Sequence, residues 1–200
     1  MINHKYKIIF IHIPRTGGTS IEKCIAGKNW WNIHPPSKHL TAHLAKKEYT
    51  KYWDDYFKFA FVRNPWDRMV SLLKHGSFYG VKFNFNDKLL MNEYFDDYDK
   101  IEYDKRFSHL NQFKDFTSKK NSIYQNIIGD EMNFVGKFEN LQEDFNTVCD
   151  KIGIPQQRLP HEEKLHKRRH YTEYYDDETR EIVAEKYAKD IEYFGYKFGE

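Results

Sequence analysis

The chain has 200 residues, of which 40% are hydrophobic and 18% aromatic, with 32 basic and 30 acidic side chains. That length suits one domain with a substantial core, and the apolar share excludes a disordered chain. A net charge of +2 is too small for bulk binding to nucleic acid, so any anion site must be local.

The N-terminal stretch MINHKYKIIFIHIP holds an apolar run of seven residues with a His inside it, too short for a signal peptide. No other segment approaches the roughly 18 apolar residues of a membrane span. A cytoplasmic protein with no membrane partner is expected. Cys24 and Cys149 fall on apolar helix positions and read as buried free thiols rather than a disulfide.

Lys7–Ile13 is a β-branched run closed by Pro14, read as a buried strand on which His12 is structural. HIPRTGGTS follows. Thr19-Ser-Ile-Glu22 has the form of a capping box, opening a helix with Ile21, Cys24 and Ile25 on one face and Gly27 as its stop. Phe57–Val62 is a second strand. In RNPWDRMVSLLKHG after it, Asn64 suits the N-cap, Pro65 the first helical position and Asp67 the first turn. Trp66, Met69, Val70 and Leu73 keep helical spacing up to Gly76. Ser77–Asp104 has weak periodicity and reads equally as a surface insertion or as a lid or acceptor-binding wall. Phe134–Phe138 is a third strand, before a helix from about Glu139 through Leu141, Phe145, Val148, Cys149 and Ile152 to Gly153 and Pro155. Pro160–Tyr171 is a basic loop, and a last long helix is expected over Asp177–Phe194. This alternation predicts an α/β fold with a central parallel sheet flanked by helices, whose ligands lie beyond the carboxyl ends of the strands.

Pro14–Ser20 has the composition of an anion-binding turn. Gly17 and Gly18 allow positive φ and close approach of backbone N–H groups, and the helix start adds unsatisfied donors and its dipole. Arg15, Thr16, Thr19 and Ser20 add a cation and three hydroxyls. The turn lacks the Gly-Lys-Ser/Thr ending of a nucleotide P-loop, and the strand before Arg63 ends in Phe61-Val62 without a carboxylate for magnesium. Metal-dependent phosphoryl transfer is therefore disfavoured and no metal is expected. Arg63, at a strand end, and Ser71, two helical turns on, can grip a second phosphate.

FIHIPRTGGTS resembles the 5′-phosphosulfate loop of sulfotransferases that use 3′-phosphoadenosine 5′-phosphosulfate (PAPS). FVRNPWDRMVS resembles their 3′-phosphate motif, and the tail VGKFENLQEDF…GIP…LPH…YYDDETREIVAEKYAKDIEYFGYKF continues the likeness, which runs from Ile9 to Phe198. It is strongest to the carbohydrate-sulfating branch that includes heparan sulfate 2-O-sulfotransferases. The resemblance implies a P-loop-NTPase-like three-layer fold in one domain, with PAPS as co-substrate and 3′-phosphoadenosine 5′-phosphate (PAP) as product. It assigns Arg15, Thr16, Gly17, Gly18, Thr19 and Ser20 to the 5′-phosphosulfate and Arg63 and Ser71 to the 3′-phosphate. Arg169 and Tyr171, in a basic loop Lys167–Tyr171, would close over the nucleotide. Most family members carry Lys where this chain has Arg15, whose planar fork differs from a point ammonium.

Sulfuryl transfer also needs a base for the acceptor hydroxyl, and His is suited to it. Among ten His residues, His39 in SKHLTAHL lies between the two motifs, where the resembling glycan sulfotransferases place their catalytic His. His43 shares a face with His39 if the segment is helical and is the alternative, with a place on the acceptor side. His109 and Gln112, in FSHLNQF, fall where the family places acceptor-side residues. The expected activity is in-line transfer from PAPS to a hydroxyl, on a glycan or another acceptor. A nucleotide kinase of related fold and a non-catalytic nucleotide- or glycan-binding module are the competing readings, and oligomeric state is left open.

Overall fold

A computed structural model of the chain describes residues 1–78, 127–160 and 169–200. His109, Gln112, most of the Ser77–Asp104 segment and positions 161–168 of the basic loop lie outside the described residues. The rest falls into two compact units, one within Met1–Arg63 and Gln125–Lys164, the other within Asn64–Tyr124 and Leu165–Glu200.

The first unit is built on a four-stranded sheet in the order β1-β2-β3-β4: β1 Ile2–Asn3, β2 Ile8–Ile11, β3 Phe57–Val62 and β4 Phe134–Lys137. β1 pairs antiparallel with β2, whereas β2–β3 and β3–β4 are parallel. The three parallel strands are those expected from the apolar runs. Helix α1 spans Gly18–Ala26, α2 Ala42–Glu48 and α4 Leu141–Lys151. Ile8, Phe10, Phe59 and Phe61 pack with Ile21 and Ile25 of α1 and Phe145, Val148 and Cys149 of α4. The alternate residues Ile9, Ile11 and Ala60 are also fully buried, so both sheet faces are covered. Each buried Ile or Phe contributes roughly 1.5–3 kcal/mol, which is why near-continuous apolar runs form these strands. Cys149 is buried as expected, but Cys24 is only half-buried; both are free thiols.

The second unit contains helix α3, Pro65–Phe78, a 3₁₀ turn at Tyr171–Tyr174, helix α5 at Asp177–Lys186 and helix α6 at Ala188–Phe194. Asn64 caps α3 as expected, its Oδ1 accepting from the Trp66 and Asp67 amides at 3.2 and 3.5 Å. Gly76 does not end this helix; a single glycine costs only about 1 kcal/mol in a helix interior. The long C-terminal helix is instead two, separated at Tyr187, which leaves helical geometry at φ −110° and ψ 21°. Tyr187 is buried beside the buried Asp190 and Arg68, and burial pushes its phenol up to about 12 despite the Arg68 charge. No helix among the described residues is long and apolar enough to cross a membrane.

Candidate active site

β2 and β3 end at the same edge of the sheet, since Ile11 pairs with Ala60 in parallel register. The chain leaves β2 into Pro14–Gly17 and leaves β3 into Arg63. Arg15 sits in the left-handed region at φ 69°, a conformation a non-glycine residue adopts at a cost of about 1–3 kcal/mol. Bonds among the described residues brace the turn: Arg63 Nη1 donates to the Arg15 carbonyl at 3.0 Å, and the buried Thr16 hydroxyl donates to the Ile13 carbonyl at 2.8 Å. Arg63 is buried, with its guanidinium 3.9 Å from the centroid of the Phe138 ring. Arg63 thus braces the turn, a role its place in the motif does not reveal.

Gly17, at φ 81°, is the N-cap of α1, and no side-chain cap is made among the described residues. The amides of Gly17, Gly18 and Thr19 have no acceptor among the described residues, leaving a cluster of donors at the positive end of the helix. Gly18 allows close approach on its other side: a Cβ there would run into the His12 ring. Ser20 is buried at the next turn, its amide donating to the Gly17 carbonyl at 3.1 Å.

The expected capping box is absent because Glu22 is turned inward and is fully buried. Its Oε1 accepts from His12 Nδ1 at 2.6 Å, and its Oε2 from Lys38 Nζ at 2.6 Å and the Trp30 amide at 2.9 Å. Burial alone would raise the Glu22 carboxyl, but the His12 hydrogen bond and the Lys38 charge outweigh it and hold it at about 2. Burial pushes His12 the other way, below its ordinary value, so its ring is neutral. Lys38 also donates to Asn29 Oδ1 at 2.7 Å. The sequence does carry a signal for this network. Glu22 lies beside Ile21 and three residues before Ile25, on the apolar stripe of α1, where a charge demands a buried partner.

His39 is half-buried. Its Nδ1 lies 2.9 Å from the His12 backbone carbonyl. A carbonyl only accepts, so Nδ1 carries a proton, and in a neutral imidazole Nε2 would then carry the lone pair. The His39 ring meets His12 edge-on at 4.5 Å between centroids and Trp31 at 5.8 Å. The glycine turn and His39 therefore both abut one residue, His12: the turn rests on its ring and His39 bonds its carbonyl. His43 does not share a helix face with His39. Thr41 caps α2, accepting from the Leu44 amide at 3.3 Å, so the helix opens after His39 and His43 stands exposed on it.

In the second unit Ser71 is buried within α3. Arg169 and Tyr171 line a cleft of about 390 Å³ together with Asp67, His170 and Glu200. Arg169 is exposed, while Tyr171 is buried and its hydroxyl donates to the Glu200 carbonyl at 3.1 Å and accepts from the Gly199 amide.

The model of the sulfotransferase family matches residues 1–197. The chain belongs to the sulfotransferase family. Its mostly parallel sheet, with a glycine turn between β2 and α1, is the P-loop-like arrangement of that family. Among curated relatives of this chain, carbohydrate sulfotransferase 9 of Homo sapiens is 27% identical over 220 residues, covering 95% of this chain and 47% of that protein. An uncharacterized protein of Archaeoglobus fulgidus is 31% identical over 110 residues, covering 54% of this chain and 76% of the relative. This chain thus spans about half the length of the human relative. No solved structure matches it.

Proposed function

We propose that the chain transfers a sulfuryl group from PAPS to a hydroxyl of a carbohydrate acceptor. The observation that carries this reading is the convergence on His12: a turn presenting amide donors lies against its ring, and His39 is bonded through Nδ1 to its carbonyl. Family membership and the carbohydrate in the human relative's name support it.

The Gly17, Gly18 and Thr19 amides and the Arg15 guanidinium suit the 5′-phosphosulfate and would stabilise charge growing on the departing phosphate. Thr16 contributes by shaping the turn, Ser20 by its place one residue further along α1. Arg63, Ser71, Arg169 and Tyr171 are assigned to the 3′-phosphate end by motif. His39 would take the acceptor proton at Nε2 as the hydroxyl oxygen bonds sulfur and the sulfur–phosphate oxygen bond breaks. His43, His109 and Gln112 are assigned to the acceptor side. PAP is the product, no metal takes part, and the enzyme works in the cytoplasm without nucleic-acid or membrane partners.

Calorimetry without divalent metal tests the donor assignment. PAP should bind at least about tenfold more tightly than AMP, as a charge-assisted 3′-phosphate contact requires. Equal affinities would remove Arg63 and Ser71 from the 3′-phosphate and reopen the kinase and binding-module alternatives.

A further inference from the structure

We propose that Glu22 and Lys38 are positioning residues for the His39 base, an inference that takes His39 as the base from the reading above. Two of the attachments of His39 among the described residues lead to one carboxylate. Its ring hangs on the carbonyl of His12, whose own ring donates to Glu22 Oε1. Its backbone follows directly from Lys38, whose ammonium is drawn 2.6 Å from Glu22 Oε2 and 2.7 Å from Asn29 Oδ1. Lys38 and Glu22 are both buried, with side-chain exposures of 3% and 0%, so neither is placed to serve as a surface charge. The Lys38 ammonium also lies 5.6 Å from the Trp31 ring, which meets His39 edge-on.

A buried ion pair replaced by apolar or neutral groups is often neutral for stability, whereas removal of one partner leaves an uncompensated buried charge. A fold-holding role and a positioning role can therefore be separated. Removing both charges restores the first and not the second, because the link between Glu22 and the residue preceding His39 is gone.

The test compares the parent, Lys38→Met and the double variant Glu22→Gln/Lys38→Met. Turnover, PAP affinity, melting temperature and the His39 tautomer, read from imidazole nitrogen shifts, are measured for each. Lys38→Met should lower kcat by about 10- to 100-fold, the effect of a misplaced catalytic group, with PAP affinity within about threefold of the parent. The double variant should recover the melting temperature but not kcat. In the parent His39 should be the Nδ1–H tautomer, and both variants should show a mixture. Recovery of kcat together with stability would show that the pair only holds the fold. An unchanged tautomer in the variants, or an Nε2–H tautomer in the parent, would likewise overturn the proposal. Absence of sulfuryl transfer in the parent would instead refute the reading of the activity, while the tautomer comparison would still decide the positioning role.

Discussion

Arg15 is the residue at which conformation and chemistry pull apart. Its φ of 69° favours glycine, while its cation favours the anion. Arg15→Gly should therefore leave stability within about 1 kcal/mol of the parent or slightly above it, since relief of the left-handed backbone offsets the greater freedom of the unfolded chain. Sulfuryl transfer should nevertheless drop by about 10²-fold or more. Thermal unfolding and transfer rates measured on the same preparation check both halves. A loss of several kcal/mol would show that the Arg15 side chain holds the turn, and an undiminished rate would show that it does not act on the leaving group. Gly18→Ala is the converse case: its φ is ordinary, but the new methyl meets the His12 ring. Overpacking of this kind costs about 1–3 kcal/mol, and here it should also lower PAP affinity, because the turn amides must move.

At the scale of elements, Glu22 decides between two accounts of how α1 begins. As a capping-box partner its loss would cost about 1 kcal/mol. As the carboxylate shared by His12, Lys38 and Trp30 it should cost about 3–5 kcal/mol when replaced by Ala, because the buried Lys38 ammonium loses the Glu22 counter-charge. Chemical denaturation of Glu22→Ala separates the two. This is also where the sequence is least transparent. The parallel strands β2, β3 and β4, and the starts of α3 and α4, follow from apolar runs and turn residues whose signals are local. The glycine turn that leads from β2 into α1 is legible from its residues. Thr19-x-x-Glu22 fits the local grammar of a cap, but the choice between a cap and a buried pair depends on Lys38, sixteen residues away and brought near only by the fold. The break at Tyr187 escapes for a similar reason: Ile182, Val183, Tyr187 and Ile191 keep helical spacing, and spacing does not distinguish a straight helix from one that bends at a buried ring. Likewise, Arg63 reads as a phosphate ligand, while its bond to the Arg15 carbonyl emerges only from the register of β2 against β3.

For the whole molecule, the same buried groups set the response to acid. The fold keeps His12 neutral, below its ordinary 6.5, so the unfolded chain binds the extra proton and stability declines as pH falls below about 6.5. Glu22 moves from its ordinary 4.5 to about 2; its contribution is fully present above 4.5 and is lost as pH falls toward 2. Burial also holds the Met1 amino group at about 5, from its ordinary 8.0, so melting temperature should decline as pH falls below about 8 and fall more steeply below about 4.5, with the steeper limb reduced in Glu22→Gln. A melting temperature flat down to pH 4 would contradict the buried network. The proposed chemistry is tested by transfer of labelled sulfate from PAPS to a panel of oligosaccharides, phenols and lipids without added metal. The account predicts label in a carbohydrate product, reduced by about 10²–10⁴-fold in His39→Ala with PAP affinity nearly unchanged. Tight PAP binding with no label in any acceptor would contradict it, as would a His39→Ala rate equal to that of the parent.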